Sequence, residues 1–185
     1  MSASKSVFAQ QVAVFSACAL LDLLAGSVLE RMRFSLEALP GLIILIPPLI
    51  DMRGNIGIAL GSRLGTALHL GTLEPKFAVT PELKVNILSA IVVSVIASLA
   101  IGLLSIGAGI ATGNTPPEPH LFITIALLAG VLSGLVLIPI TVLVAFIAYR
   151  RKWDPDNITS PVMTTLGDII TIICIFAAVV AVGWS

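Results

Sequence analysis

Apolar residues fall into five long blocks along this chain, at 7–29, 39–70, 83–111, 121–149 and 158–184, separated by short polar breaks. Each block is apolar on every face and holds at least the ~20 residues that a helix needs to cross a bilayer core. That length and all-round apolarity exceed what a buried helix of a soluble protein requires. The breaks are Glu30-Arg31-Met32-Arg33, residues 72–82, Asn114 to Pro119, and Arg150 to Pro155. The pattern predicts an all-α integral membrane bundle of five transmembrane helices. It makes residues 1–185 a single membrane domain with no soluble sensor domain.

Two blocks carry polar groups where lipid is hostile to them. In the second, Pro47-Pro48 removes two backbone donors and Asp51-Met52-Arg53-Gly54-Asn55 follows at once. Such a break survives in lipid only where neighbouring helices or a water-filled cavity satisfy the freed groups, so an interrupted helix is expected here. Gly54, Gly57, Gly61 and Gly65 then form a small-residue face suited to close helix packing. In the last block, Asp154 fits an N-cap and Pro155 the first helical position. From there Asp154, Asn157, Thr164, Asp168 and Thr171 recur at helical spacing. Pro161 is placed to bend this helix.

Asp168 sits deepest. A carboxylate at bilayer depth costs roughly 2.5–3.5 kcal/mol on insertion scales, and the last block has no Lys or Arg to pair with it. A stripe of oxygen ligands without a basic residue reads as a cation pathway. Composition agrees with the membrane reading: 57% of residues are hydrophobic and 11% charged. Zero formal net charge and the lack of a basic block argue against nucleic acid as a partner, leaving lipid and inorganic cations. Cys18 and Cys174 each lie in an apolar run, which suggests two free, buried thiols rather than a disulfide.

Basic residues set the expected orientation. With five spans, one side collects Lys5, Lys76, Lys84, Arg150, Arg151 and Lys152, and the other only Arg31 and Arg33. The positive-inside rule then puts the N-terminus in the cytoplasm and Ser185 outside a cell membrane crossed several times. The first block runs on past Cys18 to Leu29, longer than the core of a signal peptide, and reads as the first span.

Magnesium dehydrates reluctantly and touches few carboxylates directly, so a path for it needs one or two acids, hydroxyls or carbonyls, and room for water. Asp168 with Thr164, Thr165 and Asn157 fits that need. No thiolate or imidazole cluster competes for a softer metal, while magnesium, manganese, calcium and sodium all stay open by ligand type. Asp51 and Arg53 are placed to pair with each other or to snorkel. Asp22 suits either the pathway or a pairing with Arg53 or Arg63. His69 reads as interfacial, and Asn86 as a source of an interhelical hydrogen bond. A membrane-embedded enzyme would want a close acid pair at a membrane face. Asp154 and Asp156 are the only such pair and look like a helix start, so no enzyme is expected.

The run Ile46-Pro47-Pro48-Leu49-Ile50-Asp51-Met52-Arg53-Gly54-Asn55-Ile56-Gly57, continued by Ser62-Arg63-Leu64-Gly65-Thr66, resembles the signature of the MgtE and solute carrier 41 magnesium transporters. The stretch from Asp154-Pro155-Asp156-Asn157 through Pro161 to Thr165-Leu166-Gly167-Asp168 resembles the last helix of that family. The resemblance implies a homodimer with the ion path on or near its twofold axis. Asp168 would match the central ion-binding aspartate and Asp154 the acid on the cytoplasmic side. Gly54 and Asn55 would fall on the pore-lining second helix; Asp51, a candidate metal ligand, and Asp22 are extra acids that no motif of the family carries over. The transported ion would be Mg2+, with Na+ a candidate coupling ion in an exchanger. Bacterial members carry a cytoplasmic sensor region that this sequence lacks. Eukaryotic members look like two such units in tandem, so this single unit is expected to pair.

Overall fold

The structure, a computed structural model, describes residues 2–39, 41–75, 80–113, 118–153 and 155–183, without the side chains of 2–7, 9–11, 13, 35, 38 and 155–157. Among these residues every regular element is a helix: α1 (Ser2–Arg31), α2 (Arg33–Ala38), α3 (Leu42–Leu70), α4 (Pro81–Ala111), α5 (Pro119–Arg150) and α6 (Pro155–Ala181). Among the described residues, four helices are long and apolar enough to cross a membrane: α3, α4, α5 and Ile158–Ala181 of α6. The short α2 between the first two long helices is an element the hydrophobic pattern did not announce.

The helix ends follow local chemistry. Gly71 closes α3 at φ 73°, a left-handed conformation that glycine adopts without a Cβ penalty. Thr80 caps α4, its hydroxyl accepting from the Leu83 amide at 3.2 Å, with Pro81 at the first helical position.

The expected interruption of the second span is absent. α3 is continuous from Leu42 to Leu70 with Pro47 and Pro48 inside it. The helix begins at Leu42 rather than residue 39, so the prolines fall in its second turn. There they deprive only the carbonyls of Ile43 and Ile44 of donors, and the helix carries on.

α4 shows why the bundle needs lipid. Its buried positions are Leu83, Ala90, Ser94, Ser98, Gly102, Ser105 and Gly109. Its exposed ones include Val85, Leu88, Ile91, Val92, Ile96, Leu99, Leu103 and Leu104. Small residues face the protein and branched apolar ones face out, the inverse of a soluble helix. Helices associate this way in lipid because close backbone packing, not water exclusion, drives them together.

α3 is central and packs on α4, α5 and α6, while α1 lies chiefly against α6. One apolar cluster gathers Leu42, Leu45, Leu49, Phe122, Ile125, Ile175 and Val179, and a second gathers Leu60, Leu64, Leu68, Leu83, Ala145 and Phe146. Between them lies a polar layer of Arg53, Ser94, Ser98 and Ser133, all buried. At Gly102 a Cβ would stand 2.9 Å from the Cα of Ile123, and backbone cannot swing aside as a side chain can. Gly102→Ala is therefore expected to push α4 off α5 and cost about 1–3 kcal/mol. Thermal unfolding in detergent reads this out, and an unchanged midpoint would contradict the packing.

Candidate functional site

The glycine face of α3 is where the site is assembled. Gly54, Gly57 and Gly61 lie against Thr164, Met163 and Thr159 of α6 in turn, so the two helices run antiparallel. A Cβ on Gly167 would stand 3.4 Å from the backbone nitrogen of Gly54, and one on Gly57 would stand 3.1 Å from Met163 Cβ. Side chains of ordinary size would hold the helices apart. The contact of Gly54 with Gly167 sets the next residue of each helix, Asn55 and Asp168, on neighbouring edges of one seam.

Along α3 one row of exposed positions steps by three and four residues, Ile43, Pro47, Asp51, Asn55, Ala59, Ser62 and Thr66, and Arg63, His69 and Leu70 are exposed as well. On α6, Thr164 is exposed and Asp168 half-buried. Two donors beside this seam bond within their own helix. Asn55 Nδ2 donates to Asp51 Oδ2 at 2.9 Å, and the Thr164 hydroxyl donates to the Ser160 carbonyl at 3.0 Å. What remains facing outward is oxygen: a carboxylate at Asp51, an amide carbonyl at Asn55, hydroxyl lone pairs at Thr164 and a carboxylate at Asp168. Hard oxygens of this kind suit a hydrated hard cation.

The buried arginine of α3 faces away from the seam. Arg53 is 2% exposed and points to the opposite side of α3. Its Nη1 donates to Ser94 Oγ at 2.7 Å and its Nη2 donates to the Gly130 carbonyl. Gly130 and Gly134 make the notch that admits it, since a Cβ on Gly134 would meet Nη1 at 2.9 Å. The expected pairings of Arg53 with Asp51 or Asp22 do not form, because the serine and glycine positions of α4 and α5 capture the guanidinium first. Arg63 is exposed and lines a small cleft with Asn86. Asn86 bonds the Glu82 carbonyl of its own helix, not another helix as expected, since the turn below lies within reach of a short amide.

Other expected site residues separate. Thr165 is buried, one position round the helix from Thr164. Thr171, placed on the polar stripe by its spacing, is fully buried with its hydroxyl unbonded. Asp154 and the side chain of Asn157 lie outside the described residues. Cys18 and Cys174 are both free. His69 bonds the Gly65 carbonyl at 2.8 Å and stands edge-on to Tyr149 at 5.4 Å.

Asp22 of α1 lines a cavity with Thr164 and Thr165 of α6, and Asp51 of α3 is bonded to Asn55 beside the Gly54–Gly167 contact that precedes Asp168. Three helices thus send one carboxylate each toward the same region. Among the described residues no three Asp, Glu, His or Cys side chains approach closely enough to cage a bare metal ion. The convergence of Asp22 was the feature hardest to read from sequence. An acid in mid-helix with no basic residue within a turn was its only signal.

A family model described as a divalent cation transporter matches residues 46–178. Over 138 residues the chain is 28% identical to solute carrier family 41 member 3 of Rattus norvegicus, covering 71% of this chain and 29% of that protein. Over 183 residues it is 25% identical to solute carrier family 41 member 2 of Gallus gallus, covering 91% of this chain and 30% of the relative. Member 2 of Homo sapiens is 26% identical over 140 residues, 70% of this chain and 23% of that protein. The chain spans less than a third of the length of these relatives.

Proposed function

Because the chain belongs to the MgtE family of divalent cation transporters, we propose that it carries a hydrated divalent cation, magnesium first, across a cell membrane along the α3–α6 seam. Asp168 is the central ion-binding carboxylate. Asp51, Asn55 and Thr164 supply outer oxygens, the Gly54 contact sets the width of the seam, and Asp154 guards the cytoplasmic mouth. The observation that carries this reading is the seam itself: the oxygens of Asp51, Asn55, Thr164 and Asp168 along it, with Asn55 and Thr164 each donating within its own helix, and the buried Arg53 of α3 turned away.

An exposed polar seam cannot face lipid. A second copy of the chain, apposed seam to seam about a twofold axis, closes it into a water-filled path with Asp168 contributed from both sides. α1 completes a set of five spans. Thr72 bonds Glu82 and Arg150 bonds the Pro75 carbonyl, which gathers Thr72 and Pro75, the start of α4 and the end of α5 at one end of the bundle. Lys84, Arg150, Arg151 and Lys152 belong to that end, and the positive-inside rule makes it cytoplasmic together with the N-terminus.

Purified protein in liposomes, with gradients of Mg2+, Mn2+, Ca2+ and Na+ set independently, tests the assignment. Mg2+ is expected to accumulate down its own gradient. Uptake that requires an opposed Na+ gradient would identify a sodium-coupled exchanger, and a tenfold preference for another ion would overturn magnesium as the cargo.

A further inference from the structure

Asp22 is an exposed carboxylate in the middle of α1, and among the described residues it makes no hydrogen bond or ion pair. In a helix that crosses lipid such a charge is costly unless something compensates it. Its surroundings show what does. A cavity of about 360 Å³ opens between α1 and α6, lined by Phe15, Cys18, Asp22, Ser160, Thr164 and Thr165. Each α6 side chain named there brings a hydroxyl oxygen. No lysine, arginine or histidine lines it.

The register between the helices is set by the Cys18 thiol, which donates to the Pro161 carbonyl at 3.7 Å. Cys18 beside Pro161 and Asp22 beside Thr164 and Thr165 mean that α1 and α6 run in the same direction. Asp22 therefore stands about one helical turn, roughly 5 Å, on the N-terminal side of Asp168 along α6. Thr164 lines this cavity and also lies on the α3–α6 seam, so the two share a wall there.

We propose that Asp22 forms a second cation station, built from its carboxylate and the hydroxyls of Ser160, Thr164 and Thr165, in series with Asp168. It makes α1 a wall of the ion path beside α3 and α6. Two stations a turn apart let an arriving ion weaken the hold on the one ahead, which reconciles binding with release. The ion held is a hydrated divalent cation, because one carboxylate and neutral hydroxyls leave most of the coordination shell to water. The inference rests on the transport reading above.

The test is Mg2+ uptake by liposomes containing the full chain. Asp22→Asn, which keeps size and shape, is expected to raise the half-saturating Mg2+ concentration about tenfold, as loss of one ionic contact does. Asp22→Glu is expected to restore it to within about threefold. Half-saturation equal to that of the unaltered protein in Asp22→Asn would overturn the proposal. If Asp22→Asn does not fold, Asp22→Cys with Cys18→Ala decides instead. Micromolar Cd2+ is expected to block its Mg2+ uptake and to spare the Cys18→Ala protein, and absence of block would overturn the proposal. An unaltered protein that passes no Mg2+ would sink the transport reading itself. A conducting protein indifferent to Asp22 would sink only the second station.

Discussion

Asp168→Asn is expected to cut Mg2+ uptake by at least ~100-fold while leaving the protein folded and its unfolding midpoint within a few degrees of the original. The substitution keeps the shape of the side chain and removes only the charge, so any loss of flux reports electrostatics rather than packing. A ~100-fold loss corresponds to roughly 2.7 kcal/mol, a modest fraction of what one charge contributes to holding a divalent ion in a partly dehydrated passage. In a symmetric dimer the change removes two charges from one point of the path, which makes the estimate a lower bound. Size-exclusion chromatography and thermal unfolding separate this from a folding defect. Flux equal to that of the unaltered protein, measured at limiting Mg2+, would remove Asp168 from the pathway and the seam with it.

The second large effect lies on the other side of α3. Arg53→Ala is expected to destabilise the protein by about 2–5 kcal/mol, because it empties a glycine-lined notch that the neighbouring helices are too tightly packed to refill. Arg53→Met is expected to recover most of that, to within about 1.5 kcal/mol of the original. Methionine fills the same channel with an unbranched stem. It also removes a buried guanidinium whose Nε has no bonding partner. The groups left behind are not stranded. The Gly130 carbonyl still accepts from the Ser133 hydroxyl, and Ser94 can turn its hydroxyl onto a carbonyl of its own helix. Unfolding in detergent that ranks methionine no better than alanine would mean that the charge, not the volume, holds α3 to α4 and α5.

Much of this architecture was legible without coordinates. Five apolar blocks announced the long helices, and their ends moved by only a few residues, because Gly71, Thr80 and Pro81 act on the backbone immediately beside them. The glycine spacing from Gly54 to Gly61 correctly marked a face of close packing, since only a helix period places such residues on one side. Pro47-Pro48 misled: the dipeptide signals lost donors, but how much a helix suffers depends on how far from its start they fall. Thr171 misled for a related reason. Spacing puts it near Asp168 on the helix, yet the neighbouring helices bury it, and periodicity carries no information about which neighbours a face will meet.

The sequence by itself determined that this is a helical membrane protein, which residues carry its intramembrane charge, and which face of α3 approaches another helix. Those properties are local, written in hydrophobicity, in backbone chemistry and in the period of one helix. Only the tertiary structure decided where the charges go. It turned Arg53 into a notch made by Gly130 and Gly134, far along the chain, and left Asp51, Asn55 and Asp168 as neighbours on an open seam. It also brought Asp22 from the first helix beside the hydroxyls of the last. Contacts between helices depend on which small residues align in register across the bundle, and that alignment exists only once all the helices are packed together.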